Sequence, residues 1–243
     1  MKFGGRFLQE IMKYKIAEIN QLAPDIVNFI LMPDVEKINY QAGQYVEILC
    51  PDGSWLPFSI ASAPADNGKK EFIIRQFNDE PSLKSLLISI KIGSELNLRG
   101  PFGDSTYPKK NAEKILLLAG GTGIAPIKAI LEGISEKENF YLYWGARHSR
   151  EFYLEKQIHQ WLEKGVLKSF IPVVSGDEKN WTGRKGWVHE HVISHHPDLS
   201  QAHIYASGPM AMIQSAVQLY PQYGHDISRL YSDMLPYLQT LEA

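Results

Sequence analysis

Cysteine is nearly missing from this chain: Cys50 is the only one in 243 residues. A single thiol excludes an internal disulfide, thiolate-held zinc and any cysteine-ligated iron–sulfur cluster. Within its apolar run (Tyr45 to Cys50) it reads as a small core residue. Long hydrophobic stretches are missing as well, and nothing reaches the roughly eighteen apolar residues of a membrane-spanning helix. The opening MKFGGRFLQEIMKYK has no apolar centre of the secretory kind, so a cytoplasmic protein is the expectation. Neither sign of charge dominates: 25 Lys and Arg stand against 27 Asp and Glu, a formal net charge of -2. That balance argues against a nucleic-acid binder working through a strong basic field. With 44% hydrophobic and 21% charged residues, the composition supports a packed core and argues against disorder.

What is present centres on Lys114 to Pro126. Ile115-Leu116-Leu117-Leu118-Ala119 reads as a strand buried on both faces, as in a parallel sheet. Gly120-Gly121-Thr122-Gly123 breaks the run. Beyond it Ile124, Ile127, Ile130, Leu131 and Ile134 recur at helical spacing. A strand, a glycine turn and a helix N-terminus together form a phosphate site, because glycines admit close backbone approach and the helix end favours negative charge. The spacing is not the Rossmann G-x-G-x-x-G. A tight strand-to-helix connection that binds nothing fits the same residues.

Before this stretch, from Tyr14 to about Pro108, the chain reads as short strands and turns. Expected strands are Lys15–Ile19, Ile26–Leu31, Gln44–Cys50, Pro57–Ser62, Glu71–Phe77 and Glu95–Arg99, with one helix over Pro81–Ile90. About six such strands suggest a closed antiparallel barrel. Pro57 lacks a ladder donor, which places its segment at an edge or a barrel opening. After Gly123 strands and helices alternate, the pattern of a parallel sheet covered on both faces. Strands are expected at Phe140–Trp144, Phe170–Val174 and Ile204–Ala206, and helices at Arg150–Lys164, Trp187–His195 and Met210–Tyr220. Pro172 counts against a regular central position for its strand. Ligands in such sheets bind at the carboxyl ends of the strands, which would gather Gly120–Gly123, Gly145–Arg147 and Ser207–Pro209 at one rim. The chain thus divides into residues 1–110, an antiparallel β-barrel, and 111–243, an α/β nucleotide-binding domain.

The ordered set of motifs resembles the ferredoxin–NADP reductase superfamily, most closely its small NAD(P)H–flavin reductases. The matching pieces are Ala42-Gly43-Gln44-Tyr45, Pro57-Phe58-Ser59, Gly100-Pro101-Phe102-Gly103 and Gly120-Gly121-Thr122-Gly123. Gly145-Ala146-Arg147, Ser207-Gly208-Pro209 with Met212, and Arg229-Leu230-Tyr231 with Asp233 follow in family order. The resemblance implies a flavin-binding barrel, a nicotinamide-nucleotide domain, and hydride transfer from NADPH or NADH to a flavin (riboflavin, FMN or FAD). It implies Pro57, Phe58, Ser59 and Ile60 at the flavin ring, with the Ser59 hydroxyl near N5, and Tyr231 and Asp233 closing over it. Gly120, Gly121, Thr122, Gly123, Ser207, Gly208, Pro209 and Met212 would hold the nicotinamide nucleotide, with Ser59 and Thr122 nearest the chemistry. Thr122 is equally suited to capping the following helix.

Two family features are altered. Leu56 stands where the family carries an arginine that pairs with flavin phosphate, and Pro81-Ser82-Leu83-Lys84-Ser85 lacks a clear second phosphate motif. Both changes suit a loosely held flavin that leaves as product. Ser207 also replaces a cysteine that many relatives carry beside the nicotinamide. Arg147, following a strand where an NAD-selective site favours an acidic residue, suits the 2′-phosphate of NADPH; it also fits a plain surface arginine. His191 and His195 share a helix face at i, i+4, but nothing completes a zinc site of known type. No metal is expected, and solvated histidines are the simpler reading.

The leading expectation is an NAD(P)H:flavin oxidoreductase that passes reduced flavin to another protein. Alternatives are a reductase with bound FAD serving an oxygenase or iron–sulfur partner, and a non-enzymatic binding module of the same fold.

Overall fold

The computed structural model describes residues 10–76, 79–107, 114–134 and 139–239. The domain boundary expected at 110/111 lies outside them. The first half contains β1 (Met12–Ala23), β2 (Ile26–Pro33), β3 (Tyr45–Leu49), β4 (Trp55–Ser59), β5 (Lys70–Arg75), α1 (Pro81–Ser89) and β6 (Glu95–Phe102). Every strand pair is antiparallel, in the order β4-β3-β6-β1-β2-β5. The ends of this order meet just beyond β4. There the Ala61 N–H donates to the Glu71 carbonyl at 2.7 Å, and the Glu71 N–H donates to the Ser62 hydroxyl at 3.1 Å. The expected barrel is therefore closed by residues after β4 rather than by β4 itself. Tyr14, Ile16, Phe29, Leu31, Val46, Ile48, Phe72 and Leu98 fill its core, joined by Cys50.

Among the strand boundaries that differ from the sequence reading, those of β1 and β4 bear most on the fold. β1 begins before Lys15 and continues past Ile19, because Asn20 and Gln21 pair with Asn28 and Val27 up to the Pro24–Asp25 turn. Those polar residues hide the strand from an alternation test. β4 covers Trp55–Ser59 rather than Pro57–Ser62. It is the last strand in the order, which is where Pro57, with no N–H to donate, costs least.

The second half is a parallel sheet in the order β10-β9-β8-β7-β11-β12. Its strands are β7 (Lys114–Gly120), β8 (Phe140–Ala146), β9 (Leu167–Val174), β10 (Arg184–Lys185), β11 (Ala202–Ser207) and β12 (Leu230–Tyr231). The helices are α2 (Ile124–Glu132), α3 (Glu155–Glu163), α4 (Val188–His195), α5 (Met210–Leu219) and α6 (Leu235–Gln239). β7 feeds both faces: Ile115, Leu117 and Ala119 join one core, Leu116 and Leu118 the other. Pro172 sits next to a partner, β10, of only two residues, so its missing donor breaks little. The helix expected over Arg150–Lys164 is shorter. Residues Ser149–Glu151 form a separate single turn before α3, ended at Phe152, whose φ -84 and ψ 53 are not helical, and the Glu151 carboxylate pairs with Arg75 of the barrel.

Two ionic clusters join the halves. Arg75 of β5 bonds both Asp25 and the buried Glu151. Lys128 of α2 donates to the Ala61 carbonyl at 3.0 Å and pairs with Glu71 and Glu132, each at 2.7 Å. Between them Ala23, Ile26, Ala61, Ile73 and Ala125 form a small apolar contact, with Leu22 and Tyr153 against it.

Candidate active site

Register places the three glycine-bearing turns together. Gly120 pairs with Gly145, and Ser207 with Ala119, so the ends of β7, β8 and β11 share one rim of the sheet. The β7 and β11 turns touch so closely that side chains are excluded. A Cβ on Gly123 would lie 2.1 Å from the Ser207 carbonyl oxygen, and one on Gly120 would lie 2.7 Å from Pro209 and 2.9 Å from the Met212 sulfur. Gly145 has a different cause. A Cβ there would meet Val188 at 2.8 Å, so it lets α4 lie against β8.

A cleft of about 460 Å³ opens where this rim meets the barrel. The barrel contributes Gly43, Tyr45, Pro57 and Ser59; the second half contributes Tyr205, Ser207, Gly208 and Met210, together with Tyr231, Asp233 and Tyr237 of the tail. Strand parity explains the barrel wall. Tyr45 pairs with Ser59 and Glu47 with Pro57, so those four residues share one face. Val46 and Ile48 point into the core on the other face, and they pair with Phe58 and Leu56.

Asp233 is fixed rather than free. Its carboxylate accepts hydrogen bonds from the Ser105 hydroxyl and from the Asp104 and Ser105 amides. Burial is the largest influence on it and raises its pKa above the ordinary carboxylate value, against those hydrogen bonds. Gly103 permits the contact, since a Cβ there would lie 2.8 Å from an Asp233 oxygen. Tyr231 packs against Tyr205 with the rings tilted by 35° and their centres 4.8 Å apart, and its hydroxyl lies 3.1 Å from His203 Nδ1. The size, apolar lining and few polar groups fit a flat heteroaromatic ring with polar edges.

Several expected site residues lie elsewhere. Ile60 is fully buried and its N–H donates to the Gln44 carbonyl at 3.1 Å; it supports Ser59 rather than offering a donor to a ring. Phe58 packs against the barrel core instead of lining the cleft. Gly120, Gly121, Thr122, Gly123, Pro209 and Met212 form the rim beside the cleft, not its wall. Thr122 does not cap α2: Gly123 holds that position without any side-chain cap. Gly121 adopts φ +54 and approaches Arg75, whose terminal nitrogen would be 3.7 Å from a Cβ there. Arg147 is exposed after β8, away from the cleft, and its carbonyl accepts from the Gly176 N–H at 3.0 Å. Ser82, in the altered phosphate motif, donates to the Asp52 carboxylate at 2.6 Å, an arrangement that repels an anion.

The histidines are not simply solvated. His195 lies 3.1 Å from the Tyr143 hydroxyl and 2.7 Å from Arg184, and His191 lies 2.9 Å from the Lys185 carbonyl. Among the described residues no three His, Cys, Asp or Glu side chains converge as a metal site. Cleft residues that sequence reasoning did not assign include Gly43, Tyr45, Ser105, Met210 and Tyr237. For the first two a signal existed in Ala42-Gly43-Gln44-Tyr45: Gly43 has φ +104, and a Cβ there would collide with the Ser105 carbonyl at 2.3 Å.

Comparison with known proteins agrees with this geometry. The oxidoreductase FAD-binding domain family matches residues 13–107, and the oxidoreductase NAD-binding domain family matches 117–218. The chain is 33% identical to the CDP-6-deoxy-L-threo-D-glycero-4-hexulose-3-dehydrase reductase of Yersinia pestis, over 90% of this chain and 67% of that protein. It is 30% identical to a probable flavin reductase of Photobacterium leiognathi, over 93% and 99%. In fold it is similar to the ferredoxin reductase in carbazole 1,9a-dioxygenase, with a TM-score of 0.81 at 22% identity, covering 93% of this chain and 70% of that one. A barrel and a nucleotide-binding sheet meeting at one cleft, with both domain families in this order, make the chain a member of the ferredoxin reductase-like family of NAD(P)H-dependent flavin oxidoreductases.

Proposed function

We propose that the chain transfers hydride from NADPH or NADH to a loosely held flavin, which then leaves to serve another protein. The observation that carries this is the cleft itself, which gathers Ser59 of the barrel, Ser207 and Gly208 of the nucleotide sheet and Asp233 of the tail around one space. A bound nicotinamide supplies the hydride and a bound flavin accepts it. Such a transfer needs two rings held face to face with water excluded, and no strong acid or base. Ser59 offers a hydroxyl to the polar edge of the flavin ring, and Pro57 a flat apolar contact. Asp233 holds the tail, with Tyr231, against the opening. The Gly120–Gly123 turn and the start of α2 take the pyrophosphate, with Thr122 beside it; Ser207, Gly208, Pro209 and Met212 support the nicotinamide end. Arg147 takes the 2′-phosphate and so favours NADPH.

This reading puts the division between the domains near residue 110 and the activity in the cytoplasm. Among the described residues no helix is long and apolar enough to cross a membrane. The names of two relatives, a dehydrase reductase of Yersinia pestis and the reductase component of a propane 2-monooxygenase of Gordonia, support a second reading in which FAD stays bound and electrons pass to an oxygenase or other acceptor protein. One assay tests both readings. NADPH and NADH oxidation is followed with riboflavin, FMN or FAD added, before and after exhaustive dialysis. Oxidation that depends on added flavin is expected. A flavin spectrum retained through dialysis would favour the second reading, and no oxidation with any flavin or artificial acceptor would refute both.

A further inference from the structure

Beyond Pro57 the cleft face of the barrel continues to a charged pair. Glu47 is paired with Pro57 on one side and with Arg99 on the other, one step of two residues, about 7 Å, from the Tyr45–Ser59 row. Arg99 is held in three ways. Its Nε donates to Glu47 Oε2 at 2.6 Å, its guanidinium lies 4.3 Å from the centre of the Trp55 ring, and Leu98 beside it is locked in the barrel core. Trp55 lies on the same face as Pro57 and Ser59, two and four residues along β4. Arg99 therefore belongs to the surface that runs out of the cleft. Its side chain is 35% exposed, and among the described residues no hydrogen bond occupies its two terminal nitrogens.

Leu56 is elsewhere. It pairs with Ile48 and packs against the barrel core, on the opposite side of β4 from Pro57. An arginine at position 56 would have to leave that contact to reach the cleft row, whereas Arg99 already stands beside it. A guanidinium fixed at its Nε edge and along one flat face presents its paired terminal N–H groups outward, the geometry that binds a phosphate bidentately. We propose that Arg99, carried on Trp55 and oriented by Glu47, binds the phosphate of a flavin nucleotide whose ring occupies the cleft beside Ser59. The proposal rests on the flavin reading above and adds a phosphate-selecting residue to it. Glu47 orients the guanidinium but also places a negative charge nearby, so the site holds FMN weakly, in keeping with a flavin that departs.

The test measures dissociation constants of riboflavin, which has no phosphate, and of FMN by titration calorimetry, without nicotinamide and without turnover. Arg99→Ala should weaken FMN roughly ten- to hundredfold while riboflavin stays within about twofold. Riboflavin binding also shows that the variant has folded. Glu47→Gln keeps a hydrogen-bonding partner for Arg99 and removes the repelling charge; it should tighten FMN severalfold and leave riboflavin unchanged. Should both flavins bind the unaltered protein, but FMN and riboflavin shift alike in Arg99→Ala or FMN fail to tighten in Glu47→Gln, the Arg99 assignment is overturned and the flavin reading survives. Should neither flavin bind the unaltered protein, both fall together.

Discussion

Lys128→Met is the perturbation that bears most directly on how the two halves are held together. The Lys128 side chain is 5% exposed, and its ammonium is shared by Ala61, Glu71 and Glu132. Methionine preserves the length and apolar stem but leaves two carboxylates, 16% and 24% exposed, facing each other without a cation. Breaking a buried ion pair in this manner costs about 3–5 kcal/mol. The lower end applies, because each carboxylate keeps a neutral donor: Asn28 to Glu71 at 2.6 Å and Gln157 to Glu132 at 2.9 Å. For a domain of this size a loss of about 3 kcal/mol lowers Tm by roughly 6–12 °C. Differential scanning calorimetry of wild type and Lys128→Met would measure it. Lys13→Met, which removes the exposed pair to Glu95, serves as the control and should leave Tm unchanged. Adding Glu132→Met to Lys128→Met should recover part of the loss, since one stranded carboxylate is then gone. A Lys128→Met protein that melts with the wild type would refute the reasoning, because it would mean that water already screens this junction.

Four further outcomes follow from particular atoms. Ser59→Ala should lower turnover by roughly 1–3 kcal/mol of transition-state stabilisation with little change in Tm; unchanged steady-state turnover with every flavin would remove Ser59 from the site. Arg147→Ala should raise the KM for NADPH and leave that for NADH nearly constant, whereas an equal rise for both would assign the residue to the fold. Gly123→Ala would push a Cβ to 2.1 Å from the Ser207 carbonyl oxygen, so it should destabilise the protein by about 1–3 kcal/mol or more and weaken nucleotide binding; a wild-type melting curve and NADPH affinity would contradict that packing. His196 is held neutral, with its pKa lowered to about 4 first by burial and then by Lys114 and His195. Between that value and the ordinary 6.5 the unfolded chain binds the extra proton, so stability should fall as pH drops from about 6.5 toward 4. His196→Phe should flatten that slope in urea titrations at pH 7 and pH 5, and an unaltered slope would show that other groups cause the loss.

The chain's local signals were strongest where one residue type answered one physical need. Ile115 to Ala119 announced a strand buried on both faces, and the sheet distributes those residues between two cores. Gly120 and Gly123 announced a close approach, and the atoms they avoid belong to Pro209 and Ser207. Pro57 announced an edge strand, and β4 ends the sheet order. The barrel followed by a parallel sheet was legible for the same reason: periods of two and of 3.6 residues are written in the order of side chains.

Tertiary structure alone decided the rest, because it depended on contacts between residues far apart in the chain. β1 extends through Asn20 and Gln21 only because β2 returns beside them. Glu151, expected inside the helix from Arg150, instead ends a separate turn and gives its carboxylate to Arg75, 76 residues earlier. Strand register turned Pro57 and Ser59 toward the cleft and Phe58 and Leu56 toward the core, a choice that alternation within β4 leaves open by one residue. Gly43 and Tyr45 entered the cleft because they pair across from Ser59 or pack on Ser105. A sequence states which residues can bury, bend or carry charge; which of them face one another is settled only when distant strands choose their register.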